Sequence, residues 1–300
     1  MAAATVETAP PKVTKRAAGS RGSGLMAQLT RSPSGFAGFI IVVVVVLTSL
    51  IAPLVVGSTP PDVNAIWEGP SSAHLLGTNG SGQDILKMML RGGRPVIFVG
   101  FGAAILCTVI AVVVGSLAAY FRGRFDGVML QITDIVMTIP QIILLAVMGA
   151  FFQLNSPFAL AALIGVLSWP VLMRSIRAQV LSLKEREFVE AARLLDLGTL
   201  RIVFIEIVPN MASYILINFI IAITNAIYAL VGMYVLGLAP MAGDNWGIMI
   251  NDAWISGAMF NPAAMSYIFS PVAGIVILQL GLIMLSRSLE EILNPRLRDR

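Results

Sequence analysis

The chain has 300 residues, 57% of them apolar and only 12% charged, with a formal net charge of +4. A soluble domain carries about 25% charged residues, so a water-soluble fold is excluded, as is disorder over most of the length. A single cysteine, Cys107, and a single histidine, His74, exclude a disulfide framework and argue against a metal or haem centre.

In chain order, residues 1–34 are rich in Ala, Gly, Ser, Lys and Arg without periodicity and read as a flexible basic tail. Gly35–Val56 is the first uncharged apolar run. At about 1.5 Å per residue it reaches roughly 33 Å, enough to cross a hydrocarbon core. It is too long and begins too late for a cleaved signal peptide, so it is expected to be an anchor helix. Residues 57–94 follow as a loop outside the membrane. Within it, Lys87, Arg91 and Arg94 flank Met88, Met89 and Leu90, a pattern that predicts an amphipathic elbow with snorkelling side chains. Further apolar runs lie at Pro95–Phe121, Val128–Phe152, Pro157–Met173, Met211–Leu236 and Pro271–Ser286. The expected fold is therefore an all-α integral membrane protein with six transmembrane helices. Lipid cannot satisfy open backbone groups, and the period-two alternation of a membrane barrel is absent. The core is expected over 95–288 and a cytoplasmic tail over 289–300.

The basic residues set the orientation. With the N-terminus in the cytoplasm, all of the 20 Lys and Arg except Lys87, Arg91 and Arg94 fall inside. Both termini are then cytoplasmic, and the excess of base reports topology. Nothing in the chain resembles a nucleic-acid-binding module.

Catalytic chemistry is missing. None of the four lysines follows a glycine, so the phosphate-binding loop of ATPases is absent. Ser168 and Ser256 have no histidine at a matching depth to activate them. Asp134 is the one acid well inside an expected span, which makes it a candidate for gating, structural pairing or proton relay. Asn218 and Asn225 lie seven apart on one face of the fifth helix, and Gln279 sits mid-span in the sixth. Each is a candidate for lining a translocation path or for bonding between helices. Pro140 and Pro170 interrupt the third and fourth helices, as hinges or as fixed kinks. The stretch Gly237–Ser270 suits a re-entrant or interfacial hairpin. In it Trp246, Gly247 and Trp254 are outer-gate candidates, the alternative being inert interfacial anchoring.

The loop 174–210 is long, charged and patterned. Phe188, Ala191, Ala192 and Leu195 recur at helical spacing. Small Ala191 and Ala192 allow a short helix to press on a partner, while Glu187, Glu190 and Arg193 can pair with groups on it. Gly198 offers a helix stop, and Pro209 marks the start of the next span. Read from these residues alone, the segment is more simply a solvated amphipathic helix.

Glu190-Ala191-Ala192, with Pro209 nineteen residues after the Glu, resembles the EAA loop of bacterial ABC-importer permeases. His74-Leu-Leu-Gly-Thr-Asn-Gly-Ser-Gly-Gln-Asp-Ile-Leu86 and Arg91-Gly-Gly-Arg94 resemble segments of the dipeptide/oligopeptide/nickel branch. So do Asp134 with Pro140, Leu236-Gly-Leu238 with Trp246-Gly-Ile-Met249, and Asn294-Pro-Arg-Leu-Arg298. The order and number of these motifs resemble the C-type subunit, an anchor helix followed by a five-helix permease core of the type I importer. The resemblance implies a bacterial inner-membrane location and a second, homologous permease. It further implies two ATPase subunits that bind ATP and Mg, and an extracytoplasmic binding protein. This chain would hold no cofactor. The cargo class implied is di- or oligopeptides, with oligosaccharides or nickel chelates as alternatives, and an ion-driven transporter is the rival from another class. Asp196 stands where the family has glycine, which shifts the expected docking turn toward Gly198. The stretches Ala239–Asn245 and Ser286–Asn294 also depart from the pattern.

Overall fold

The computed structural model describes residues 32–293 apart from 153 and 155. The expected basic tail, except for its last residues, and the motif at Asn294–Arg298 lie outside the described residues. Among the described residues there are nine principal helices: α1 Pro33–Val55, α2 Ile85–Phe121, α3 Gly123–Thr138, α4 Gln141–Phe151, α5 Pro157–Leu183, α6 Glu187–Leu194, α7 Ala212–Val235, α8 Trp246–Ile255 and α9 Met265–Leu293. Between α6 and α7 a turn at Thr199–Arg201 leads into a π-helical segment, Ile202–Ile207, and a further turn at Val208–Asn210. Among the described residues the only strand-like pairing is an isolated bridge between Thr78 and Asp84.

Among the described residues, five helices are long and apolar enough to cross a membrane. The third expected span is broken. It begins at Gly123, earlier than Val128, and α3 and α4 meet at 89° across Ile139 and Pro140. Counted as one broken span, the pair makes six. Pro140 has no N–H to continue α3 and stands as N-cap of α4. Pro170 behaves differently, since α5 runs unbroken through it. The expected interruption there is not observed.

Two spans are longer than their apolar runs. α2 starts ten residues before Pro95, so Lys87, Arg91 and Arg94 belong to the transmembrane helix and form no separate elbow. Arg91 does not snorkel outward. Its Nε donates to Asp244 Oδ2 at 2.6 Å and its Nη1 to the Val56 carbonyl at 2.9 Å. α5 continues from Met173 to Leu183, absorbing the first part of the segment read as a loop. Its extra turns are held by ion pairs to α3, Arg174–Asp134 and Arg177–Asp126.

α2 and α5 form the central pair. Gly102 faces Ala161, Gly165 faces Leu106 and Gly115 faces Ile176, so the two helices lie side by side and run in the same direction. A methyl at Gly165 would come within 2.9 Å of Leu106 Cβ. Small residues permit this approach where lipid supplies no hydrophobic drive to association. α1 leans on α9 in the same way, with Gly38 against Met284 and Gly281 against Ile41. The opposite face of α1, including Val44, Leu47 and Ile51, is exposed, as expected for a helix bathed by acyl chains.

The loop 57–84 is compact and polar. Asn79 Oδ1 accepts from the Ser81 and Gln83 amides at 3.0 and 2.9 Å. Asp84 caps α2 by accepting from the Lys87 amide at 3.0 Å, and its other oxygen lies 2.9 Å from His74 Nδ1. Asn79 also reaches Tyr267, whose hydroxyl donates to Asp252 Oδ2 at 2.7 Å. This end of the bundle is therefore tied across α8 and α9.

Candidate coupling surface and translocation path

The short helix α6 presents two faces. Val189 and Ala192 are buried, whereas Glu187, Glu190, Ala191, Arg193, Leu194 and Leu195 are exposed. Of the alanine pair, Ala191 alone faces outward. Ala192 packs inward with Val189, Ile176 and Val180 in a second core beneath α6. Glu187 and Glu190 in the first turn and Arg193 in the last complement the helix dipole. Leu194 is 83% and Leu195 74% exposed. The helix therefore ends in an exposed apolar tip flanked by charges.

The turn after α6 closes at Asp196, two residues before the expected Gly198. The Leu197 amide donates to the Ala192 carbonyl at 3.2 Å and the Asp196 amide to the Arg193 carbonyl at 2.9 Å. That is the doubly bonded Schellman stop. Its left-handed residue is Asp196, at φ 53°. Gly198, at φ −59°, is the N-cap of the next turn and not the stop. Asp196 thus keeps the turn where glycine would have put it, because a short acid tolerates the left-handed region. Pro209 lies exposed in the first turn of Val208–Asn210, directly after the π-helical segment.

Residues not singled out by the sequence hold α6 in place. Lys184, buried at the end of α5, donates from Nζ to the Ala119 carbonyl at 3.1 Å and to the Tyr120 carbonyl at 3.4 Å. It thereby caps the C-terminal end of α2. Its ammonium lies 5.9 Å from the Tyr120 ring centroid, and the Arg193 guanidinium 5.7 Å from the same ring, within cation–π range. Burial, followed by the neighbouring Arg122 cation, pushes the Lys184 ammonium below the usual lysine range. The segments meet across 64 positions of sequence, and no local pattern announces it.

Midway along the bundle, Asn218 and Asn225 line one small cavity of about 80 Å³ with Ser168, Ser175 and Cys107. The helical spacing of seven is therefore a shared face. Asn218 donates to the Tyr214 carbonyl at 2.9 Å, one turn back. A second cavity of about 210 Å³ lies in the crook of the α3–α4 bend, lined by Pro140, Gln141, Ser168 and Pro170. Gln141 Nε2 donates to Ser168 Oγ at 2.8 Å, linking the bend to α5. The two cavities share Ser168 and Val171, and their polar lining is all hydroxyl, amide or thiol. Asp134 lines neither cavity; it is paired with Arg174, which also donates from Nε to Thr133 Oγ1 at 3.0 Å. Gln279 also lines neither. It is buried in α9, and neither of its side-chain polar atoms has a partner among the described residues.

The gate candidates separate. Trp246 is buried, its ring against Gly92, Gly93 and Gly274, and its Nε1 donates to the Met89 carbonyl at 2.8 Å. Gly247 is pressed against Tyr234, where a methyl would sit 2.6 Å from Cβ. Both are built into the packing of α2, α7, α8 and α9. Trp254 alone is exposed.

Residues 111–299 match the protein family described as "binding-protein-dependent transport system inner membrane component". The oligopeptide transport system permease protein OppC of Mycobacterium tuberculosis is 33% identical over 201 residues, covering 66% of this chain and 69% of that protein. The protein of the same name from Bacillus subtilis is 32% identical over 270 residues, covering 87% and 85%. With its apolar helices and its all-α bundle, the chain belongs to the family of inner-membrane permease components of binding-protein-dependent ABC importers.

Proposed function

We propose that this chain forms half of the translocation path of a peptide importer and receives its driving force through α6. The observation that carries the cargo is the likeness to two oligopeptide permeases, one of them over 87% of the chain. The path chemistry agrees with it. Hydroxyls and amides at Ser168, Ser175, Asn218 and Asn225 can exchange hydrogen bonds with the N–H and C=O groups that every peptide carries. Their lack of fixed charge leaves side-chain choice to other components.

In this reading a second, homologous permease completes the path, and two partner ATPase subunits bind ATP and Mg. This chain contributes no hydrolytic site. A binding protein outside the membrane delivers the cargo. Both termini face the cytoplasm, which puts α6 on the ATPase side and the loop 57–84 outside. Closure of the ATPases presses on Glu187, Glu190, Ala191 and the Leu194–Leu195 tip. The load passes through Lys184 and Arg193 to the inner end of α2, and through the segment ending at Pro209 into α7. The bend at Pro140 and the cavity beside it offer a place for α3, α4 and α5 to rearrange.

The test is uptake by proteoliposomes holding the full complex, given labelled tripeptide or pentapeptide with ATP. Glu190→Lys is expected to assemble normally and to abolish uptake. Normal uptake by that variant would remove the coupling role, and uptake of short oligosaccharides with no uptake of peptides would replace the cargo.

A further inference from the structure

One cavity belongs to neither the coupling surface nor the path. It is a groove of about 790 Å³ on the side of the bundle, between α1, α2 and the first turn of α5. Val46 and Leu50 form one wall, and Phe98, Phe101 and Ile105 the floor. Phe158 closes the far side and is 72% exposed. Arg94 stands at one end with its side chain exposed. Among the described residues it has no ion-pair partner, unlike Arg91 one turn away, which is engaged by Asp244.

We infer that this groove is a binding site for one anionic phospholipid, with the phosphate on Arg94 and an acyl chain along Phe98–Ile105. Three observations fix the class of occupant. The groove runs from Arg94 to Ile105 along α2, eleven residues or about 16 Å at the helical rise. That is about half of a hydrocarbon core of roughly 30 Å, the depth of a single leaflet. Its charge is confined to the end that coincides with the start of α5 and the finish of α1, where headgroups lie. The headgroup end also receives Ser156 and Pro157, so the positive end of the α5 dipole lies beside the guanidinium, although Pro157 has no N–H and the Ala159 amide is already held by Ser156 Oγ. An unpaired arginine at headgroup depth attracts anionic lipid, and an apolar floor beneath it holds a chain that a free phosphate lacks. The site is independent of cargo and of the coupling role of α6. Its consequence is local: the lipid would bridge the anchor helix α1 to the central pair α2 and α5.

The probe is the purified full-length chain in non-ionic detergent, titrated with dioleoylphosphatidylglycerol or dioleoylphosphatidylcholine and read by native mass spectrometry. One phosphatidylglycerol is expected to be retained about fivefold more tightly than phosphatidylcholine, the factor that one surface cation supplies. Arg94→Gln should erase that preference. Ile105→Trp, at a half-exposed position on the floor, should weaken both lipids, while Val276→Trp on the exposed face of α9 should change neither. Circular dichroism of each variant establishes that the helices are intact. Equal retention of the two lipids by the unaltered chain would overturn the proposal. So would an unchanged preference in Arg94→Gln, or loss of the lipid when the second permease is added, which would give the groove to that subunit.

Discussion

Arg177 on α5 holds Asp126 on α3 through two parallel bonds, Nε to Oδ1 at 2.5 Å and Nη2 to Oδ2 at 2.6 Å. The pair is mostly shielded, with side-chain exposures of 23% and 11%. Replacing Arg177 by Met leaves a shielded carboxylate without its counter-charge and should cost about 3 kcal/mol. The double change with Asp126→Leu should recover most of that loss, because the desolvation cost then disappears with both charges. Thermal unfolding in detergent of the two singles and the double measures the coupling; equal losses in all three would show that the pair is not coupled.

Asp196 occupies a left-handed position that glycine reaches without strain. Asp196→Gly should stabilise the turn by about 1 kcal/mol, and Asp196→Val should destabilise it by more, since a β-branched side chain clashes there. Limited proteolysis at the turn after α6 reads the local effect separately from global melting. Slower cleavage of the glycine variant is the expected sign.

Gly93 lies under the Trp246 ring. A methyl there would come 2.8 Å from Trp246 Cζ2 and would also collide with the Ser49 hydroxyl. Gly93→Val should cost about 3 kcal/mol by overpacking, loosening α1 and α8 from α2 together. Trp246 fluorescence is the probe, since a shift to longer wavelength reports water or headgroup contact at the buried indole.

Leu194 and Leu195 touch little of their own chain. Changing both to Ser should alter the melting temperature by less than a degree or two, corresponding to about 0.5 kcal/mol or less. Assembly with the ATPase subunits should nevertheless fall sharply, because apolar anchors dominate such contacts. Co-purification of the ATPase with this chain tests it, and undiminished co-purification would place the contact elsewhere.

Lys184→Met should lower stability by about 1 kcal/mol. The carbonyls of Ala119 and Tyr120 lose their donor, although a buried cation is also removed. Peptide uptake should fall further than stability does, because α6 loses its tie to α2. An uptake loss no larger than the drop in folded protein would reduce Lys184 to a simple helix cap.

Hydropathy alone located the membrane-spanning helices, because hydrocarbon demands about twenty apolar residues in a self-bonded helix wherever the chain crosses. The outward faces of Glu187 and Glu190 and the shared face of Asn218 and Asn225 were legible too, since helical spacing is local geometry. Tertiary structure decided where the helices stop. Hydropathy ends a span at the first cluster of charge, yet α2 and α5 run on through Arg91, Arg174 and Arg177 because acids on other segments neutralise them. Tertiary structure also decided the 89° bend at Pro140, which a proline permits but does not compel; Pro170, equally placed in sequence, leaves α5 unbroken. The burial of Trp246 and the capping of α2 by Lys184 come from the same source. Both depend on partners 157 and 65 positions away, and such meetings exist only once the helices have packed.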